Sequence, residues 1–172
     1  LDVLLRQRAE GWSRRLDLAG ARSGRLLTLN AGWRNRAVAT PVRFTYEVGG
    51  RSLLGWALLP AGDRRGPLPT VVWLYGGQLQ GDDPPPESRA AYAGSPVFAG
   101  QLWAARGYAV LYPSTPIRGG ARSDVPAELA EAVVAALDAA SQRGWVDPHR
   151  VGLLGHSFGA VATAAVLSRR SD

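Results

Sequence analysis

The pentapeptide Gly155-His156-Ser157-Phe158-Gly159 constrains this chain more than any other stretch. It stands between the apolar run Val151–Leu154 and a run of Ala, Val and Thr that suits a helix from Phe158 to about Leu167. A chain that passes from a buried strand directly into a helix has to fold the helix back across the strand. Glycines on both sides of the serine remove the β-carbons that would collide there, and the serine between them is held in a strained turn. Such a junction implies alternating strands and helices, with the serine outside the carboxyl end of a strand.

The remaining pattern agrees. Val42–Val48 alternates apolar and polar residues, Gly49-Gly50 is a hairpin turn, and Leu53–Leu59 is a second, antiparallel strand. Thr70–Tyr75 and Tyr108–Tyr112 are continuous apolar runs, expected for strands buried on both faces. Between them lie a long loop, Gln78–Pro96, with three successive prolines, and a helix over Phe98–Ala105 closed by Gly107. A second helix starts near Pro126, carries Leu129, Val133, Leu137 and Ala140 at helical spacing, and stops at Gly144. Val146–Arg150 is a turn before the strand Val151–Leu154. The fold class is α/β: a mostly parallel sheet after an antiparallel hairpin, with helices on both faces. Residues 1–35 are basic and loosely patterned, with one short strand at Leu26–Leu29, and belong to a preceding domain or linker; residues 36–172 form the α/β unit.

A serine hydroxyl is a weak nucleophile, so it has to be aimed, deprotonated, and supported by donors for the oxyanion that forms. The turn aims Ser157. The helix behind it points its first N–H groups and positive dipole end at the same place, which makes the Phe158 amide the first oxyanion donor. Tyr75-Gly76-Gly77 ends an earlier strand at the same sheet edge, where Tyr75 offers a phenol as second donor; its alternative reading is a strand-end aromatic packed on the core. His156 adjoins the serine, but neighbours in so tight a turn project differently, and it reads as a packing residue. His149 lies at the amino end of its strand and suits a surface role. Arg118, beside Gly119-Gly120, either reaches a substrate carboxylate or ties its loop down. In α/β hydrolases the acid and the histidine follow the serine, yet after Ser157 the chain has no histidine and only Asp172 as a carboxylate side chain.

Composition removes other classes. The 20 basic residues are all arginine, never more than two in succession, and are scattered without aromatic interleaving, so the net charge of +6 is no nucleic-acid signature. The chain has 0 Cys, which excludes thiol chemistry, and its 2 His with no cluster of acidic ligands do not suggest a metal site; no cofactor is called for. No apolar run reaches the ~18 residues of a membrane span. The compartment is open, because the chain does not begin with Met.

Several segments together resemble the prolyl oligopeptidase family of serine peptidases. They are Leu53-Leu54-Gly55-Trp56-Ala57-Leu58-Leu59-Pro60, Pro67-Leu68-Pro69-Thr70-Val71-Val72-Trp73, Ala105-Arg106-Gly107-Tyr108-Ala109-Val110, and Val146-Asp147-Pro148-His149-Arg150 leading into Gly155-His156-Ser157-Phe158-Gly159-Ala160. Pro113-Ser114-Thr115-Pro116-Ile117 and the form of the serine turn are most similar to the glutamyl endopeptidase branch. The resemblance implies the N-terminal part of an α/β-hydrolase catalytic domain, preceded by the last strands of a β-propeller. It also implies a Tyr75 hydroxyl that helps bind the oxyanion, and an acyl-enzyme on Ser157 in the hydrolysis of oligopeptides. The triad Asp and His are then expected beyond this fragment, which alone would be inactive, and the strand Val151–Leu154 would be flanked by a later strand. A carboxylesterase-like hydrolase and a non-catalytic scaffold are the alternative readings.

Overall fold

Side chains alternate between two apolar layers along consecutive strands, and this alternation sets the architecture. The computed structural model describes residues 4–10, 13–19, 24–29, 37–62, 66–89, 95–121 and 123–169. A meander of three antiparallel strands comes first: β1 (Leu4–Glu10), β2 (Ser13–Ala19) and β3 (Gly24–Leu29). Only the third was legible in the sequence. The first two, rich in arginine, pair from Leu4–Ala19 to Glu10–Ser13.

The main sheet holds β4 (Pro41–Val48), β5 (Arg51–Leu58), β6 (Leu68–Leu74), β7 (Ala109–Pro113) and β8 (Val146–Gly155) in the order β4-β5-β7-β6-β8. β5 pairs antiparallel with both β4 and β7, while β6 pairs parallel with β7 and β8, so β5 alone runs against the other four. The connections carry α1 (Gly100–Ala104) and α2 (Val125–Gln142), and α3 (Phe158–Arg169) follows β8. Ala57, Val72, Leu74, Ala109 and Leu111 face the layer of α2 and α3, where Leu129, Val133, Ala136, Ala162 and Val166 are buried. Trp56, Leu58, Trp73, Val110 and Tyr112 face the other layer with Ala104 of α1. The period of two places helices on both faces, as expected for strands buried on both sides.

Two boundaries differ from the sequence reading. The first helix is shorter, because Pro96–Phe98 forms a separate 3-10 turn ahead of α1. The turn at Val146–Arg150 lies inside β8: Leu68 pairs with Val146 and Thr70 with Val151, so residues 147–150 bulge out of a ladder that then resumes. The Asp147 carboxylate closes this bulge by accepting from the His149 amide at 3.0 Å and from Arg150 Nε at 2.6 Å. The Arg150 bond, then the His149 amide, hold that carboxyl below its usual pKa. Among the described residues β8 pairs on one side only and forms an edge of the sheet.

Buried polar groups fix the loops to this frame. Gln101, on α1, receives the Ala39 amide at 2.9 Å and donates to the carbonyls of Ala39 at 2.8 Å and Ser88 at 2.9 Å. It thereby joins the entry to β4 with the proline-rich loop. Tyr46 of β4, buried beside Phe44, donates its hydroxyl to the Ser114 carbonyl at 2.6 Å.

Burial pushes the Tyr46 phenol far above the ordinary tyrosine range, outweighing the hydrogen bonds to Ser114 that lower it. The folded state therefore keeps a proton that an unfolded chain releases near pH ~10. This contribution to stability is fully present below that pH and is lost as pH rises toward the folded-state pKa. Tyr46→Phe is expected to cost about 1 kcal/mol at neutral pH through the lost hydrogen bond. It should also flatten the decline of stability between about pH 9 and about pH 11, measured by urea denaturation of both proteins.

Candidate active site

Because β6, β7 and β8 run parallel, their carboxyl ends at Leu74, Pro113 and Gly155 share one edge of the sheet. Three segments leave that edge: Tyr75-Gly76-Gly77, Ser114-Thr115, and the turn into α3.

Ser157 has φ 55°, the only positive φ of a described non-glycine residue. A left-handed backbone costs such a residue about 1–3 kcal/mol, so the surroundings have to impose it. They do so through close backbone approach. A β-carbon on Gly155 would overlap the Gly159 carbonyl and stand 2.7 Å from Thr163 Oγ1, and one on Gly159 would overlap the carbonyl oxygen of Leu74 in β6. The first turn of α3 thus lies directly against two strand ends. Gly159 N–H donates to the His156 carbonyl at 2.8 Å and Ala160 N–H to the Ser157 carbonyl at 2.9 Å, which closes the turn. The Phe158 N–H, as the first of the helix, is one of the amides that intrahelical bonding leaves over. Ser157 itself is exposed.

Tyr75 follows Leu74, which is in register with Gly155, so the tyrosine stands beside the serine turn. Its ring meets Phe158 edge-on, with centroids 6.2 Å apart, and passes 3.5 Å from where a Gly159 β-carbon would sit. With 42% of its surface exposed, it lies outside both apolar layers rather than in the core. Gly76 lets the Phe158 ring lie close, since a β-carbon there would come within 2.9 Å of it and the ring would have to shift. Gly77 has φ 81° and belongs to the turn in which Gln78 N–H donates to the Tyr75 carbonyl at 3.1 Å.

The other candidates lie apart. The His156 imidazole packs on the Phe98 ring at 5.2 Å between centroids. His149 sits in the β8 bulge, at the opposite end of the strand from Gly155, and is exposed. Arg118 is engaged by protein: its amide donates to Glu128 at 2.8 Å and its guanidinium pairs with Glu131 at 2.9 Å, which ties its loop to α2. Among the described residues no grouping of His, Asp and Glu could hold a metal ion, and no helix is long and apolar enough to cross a membrane. Sequence reasoning assigned no role to Ser114 and Thr115, which are buried polar residues at the end of β7. Their signal was a pair of hydroxyls directly after a strand buried on both faces.

Residues 97–172 match the family model described as the prolyl oligopeptidase family. Over 130 residues the chain is 32% identical to a probable glutamyl endopeptidase, chloroplastic, of Oryza sativa subsp. japonica, which takes in 69% of this chain and 14% of that protein. The fold is similar to that of an acylaminoacyl peptidase of Pyrococcus horikoshii, at TM-score 0.59 and 19% identity, covering 98% of this chain and 28% of that one. An acylaminoacyl peptidase in complex with Z-Gly-Gly-Phe-chloromethyl ketone gives TM-score 0.60 at 18% identity, over 99% of this chain and 28% of the other. These matches bear out the resemblance read from the sequence and the α/β-hydrolase fold.

The close backbone approach gives a direct test. Gly159→Ala is expected to destabilise the protein by about 1–3 kcal/mol, because the added methyl has to displace the Leu74 carbonyl. Gly152→Ala, on the same edge strand with only the Thr70 carbonyl at 4.0 Å, should change stability by less than about 0.5 kcal/mol. Chemical denaturation of the two variants measures the difference, and equal effects would contradict the packing described.

Proposed function

We propose, on the premise that this chain carries part of a catalytic domain of the prolyl oligopeptidase family, that it provides the nucleophile and oxyanion side of a serine peptidase acting on oligopeptides. The observation that carries this reading is the left-handed Ser157 at a strand-to-helix junction whose flanking glycines have no room for a β-carbon. Ser157 Oγ attacks the scissile carbonyl, giving up its proton to a base as the carbonyl oxygen takes the negative charge. The Phe158 N–H and the Tyr75 hydroxyl donate to that oxygen, supported by the dipole of α3. Collapse expels the amine, which takes the proton from the base, and water then releases the acyl group by the same steps in reverse order.

The base and its orienting carboxylate lie outside this chain in the proposal, because His156 packs on Phe98 and His149 is at the far end of β8. Peptide substrates are favoured by the names of the sequence relatives, given as probable glutamyl endopeptidases, and by the peptidyl chloromethyl ketone in one similar structure. Residues 36–172 are the N-terminal half of the catalytic domain in this reading. Residues 1–35 are the end of a preceding propeller-like domain, a role that the antiparallel meander β1–β3 suits.

In the full polypeptide, Ser157→Ala is expected to lower kcat by ~10⁴-fold or more and to abolish labelling by a fluorophosphonate. Tyr75→Phe should lower kcat by ~10²-fold with KM little changed, since the phenol would act on the oxyanion rather than on the bound peptide. Peptide amides and simple esters should be compared side by side. Ester turnover without peptide cleavage would overturn the peptidase reading, and labelling that survives Ser157→Ala would overturn the nucleophile.

A further inference from the structure

We infer that Thr115 is a positioning residue for the oxyanion-binding Tyr75, an inference that rests on the proposed role of that tyrosine. Thr115 is 1% exposed and uses three of its polar groups on one short segment. Its Oγ1 donates to the Tyr75 carbonyl at 2.8 Å, its N–H donates to the Gln78 carbonyl at 2.7 Å, and its carbonyl accepts from Gly77 N–H at 2.7 Å. The turn that follows β6 is therefore held at its first, third and fourth residues by a single side chain and its peptide groups.

The consequence for Tyr75 is geometric. Rotation about the N–Cα bond of Tyr75 moves its carbonyl carbon and its Cβ together, so a carbonyl anchored by hydrogen bonds restrains φ of Tyr75 and with it the direction of the Cα–Cβ bond. The ring has few neighbours of its own to hold it, being 42% exposed with Phe158 edge-on at 6.2 Å. Aim has to come from the backbone: the Tyr75 carbonyl accepts from Gln78 N–H at 3.1 Å within the turn and, from the buried side, from the Thr115 hydroxyl at 2.8 Å. Thr115 is itself anchored through its neighbour. Ser114 Oγ donates to the Leu54 carbonyl of β5 at 2.6 Å and accepts from Gln80 N–H at 2.8 Å, while the Ser114 carbonyl accepts the Tyr46 hydroxyl of β4 at 2.6 Å. A continuous chain of hydrogen bonds runs from β4 and β5 through Ser114-Thr115 to the backbone of Tyr75.

The test is a double-mutant cycle in the full polypeptide. Thr115→Val keeps the shape and deletes the donor; Thr115→Ser keeps the donor and deletes the methyl. Thr115→Val is expected to lower kcat about tenfold with KM changed by less than about twofold, because a small displacement of a transition-state donor acts on the chemical step. Thr115→Ser should restore most of the loss. In a Tyr75→Phe background, Thr115→Val should have no further effect on kcat, since the group it aims is gone. Thr115→Ala serves for the same comparison if valine prevents folding. A readout independent of turnover is 3-fluorotyrosine at position 75: its ¹⁹F line should be alike in the parent and Thr115→Ser proteins and shifted or broadened in Thr115→Val. Additive kinetic effects in the cycle, or a ¹⁹F line indifferent to Thr115→Val, would overturn the positioning role. If Tyr75→Phe alone leaves kcat unchanged, it is the oxyanion reading that fails, while the ¹⁹F comparison still decides whether Thr115 positions the ring.

Discussion

The contact between the first turn of α3 and the carboxyl ends of β6 and β8 governs everything around it. Two glycines let the Gly159 carbonyl approach Gly155 and the Leu74 carbonyl approach Gly159 at distances that no β-carbon permits. From that approach follow the left-handed, exposed Ser157 and the direction of the helix dipole toward it. The strain at one residue is offset by the burial of Ala162 and Val166 on the same helix, whose packing against the sheet requires the helix to start where it does.

The sheet order explains why the second half of the site can be rigid as well. β6 lies between β7 and β8, so the residue after its end is flanked on one side by the segment after β7 and on the other by the serine turn. Tyr75 consequently touches Phe158 on one side and is hydrogen-bonded through its carbonyl to Thr115 on the other. An edge strand could not offer two such neighbours. The antiparallel hairpin β4–β5 adds the outer support, since Tyr46 and the Leu54 carbonyl hold Ser114 in place.

The α/β layering, the hairpin and the serine turn were legible in the sequence because each depends on local pattern: apolar runs, a Gly-Gly turn, small residues beside a serine. What remained hidden depends on contacts between distant segments. Thr115 sits 40 positions from Tyr75, and nothing in its immediate surroundings distinguishes a buried hydroxyl bonded to a remote carbonyl from one that caps a loop. Gln101 is a similar case, a polar residue in a short helix whose partners at Ala39 lie 62 positions away. The β8 bulge was half legible. The Asp-Pro turn chemistry is local, but the return of the ladder to β6 after it is a property of the partner strand. The strands β1 and β2 were missed because the alternation they carry, Arg15-Leu16-Asp17-Leu18, is short, and their pairing is a property of the partner strand.

The proposed division of the site between parts of the chain is consistent with how accurately each part has to be held. Donors to a developing oxyanion act through distances of a few tenths of an ångström and have to be in place before the reaction begins. Backbone amides at helix starts and side chains aimed by hydrogen-bonded peptide planes satisfy that demand, and both need adjacent strands in one sheet. In the proposed site, the donors would come from the ends of β6 and β8, which are neighbours in one sheet with β7. A proton acceptor has a looser requirement: an imidazole on a rotatable side chain can meet a serine hydroxyl from any segment that reaches the same edge. In that proposal the most demanding geometry falls between Tyr75 and Phe158, and Ser157 is exposed at the point where a base delivered by another segment would have to meet it.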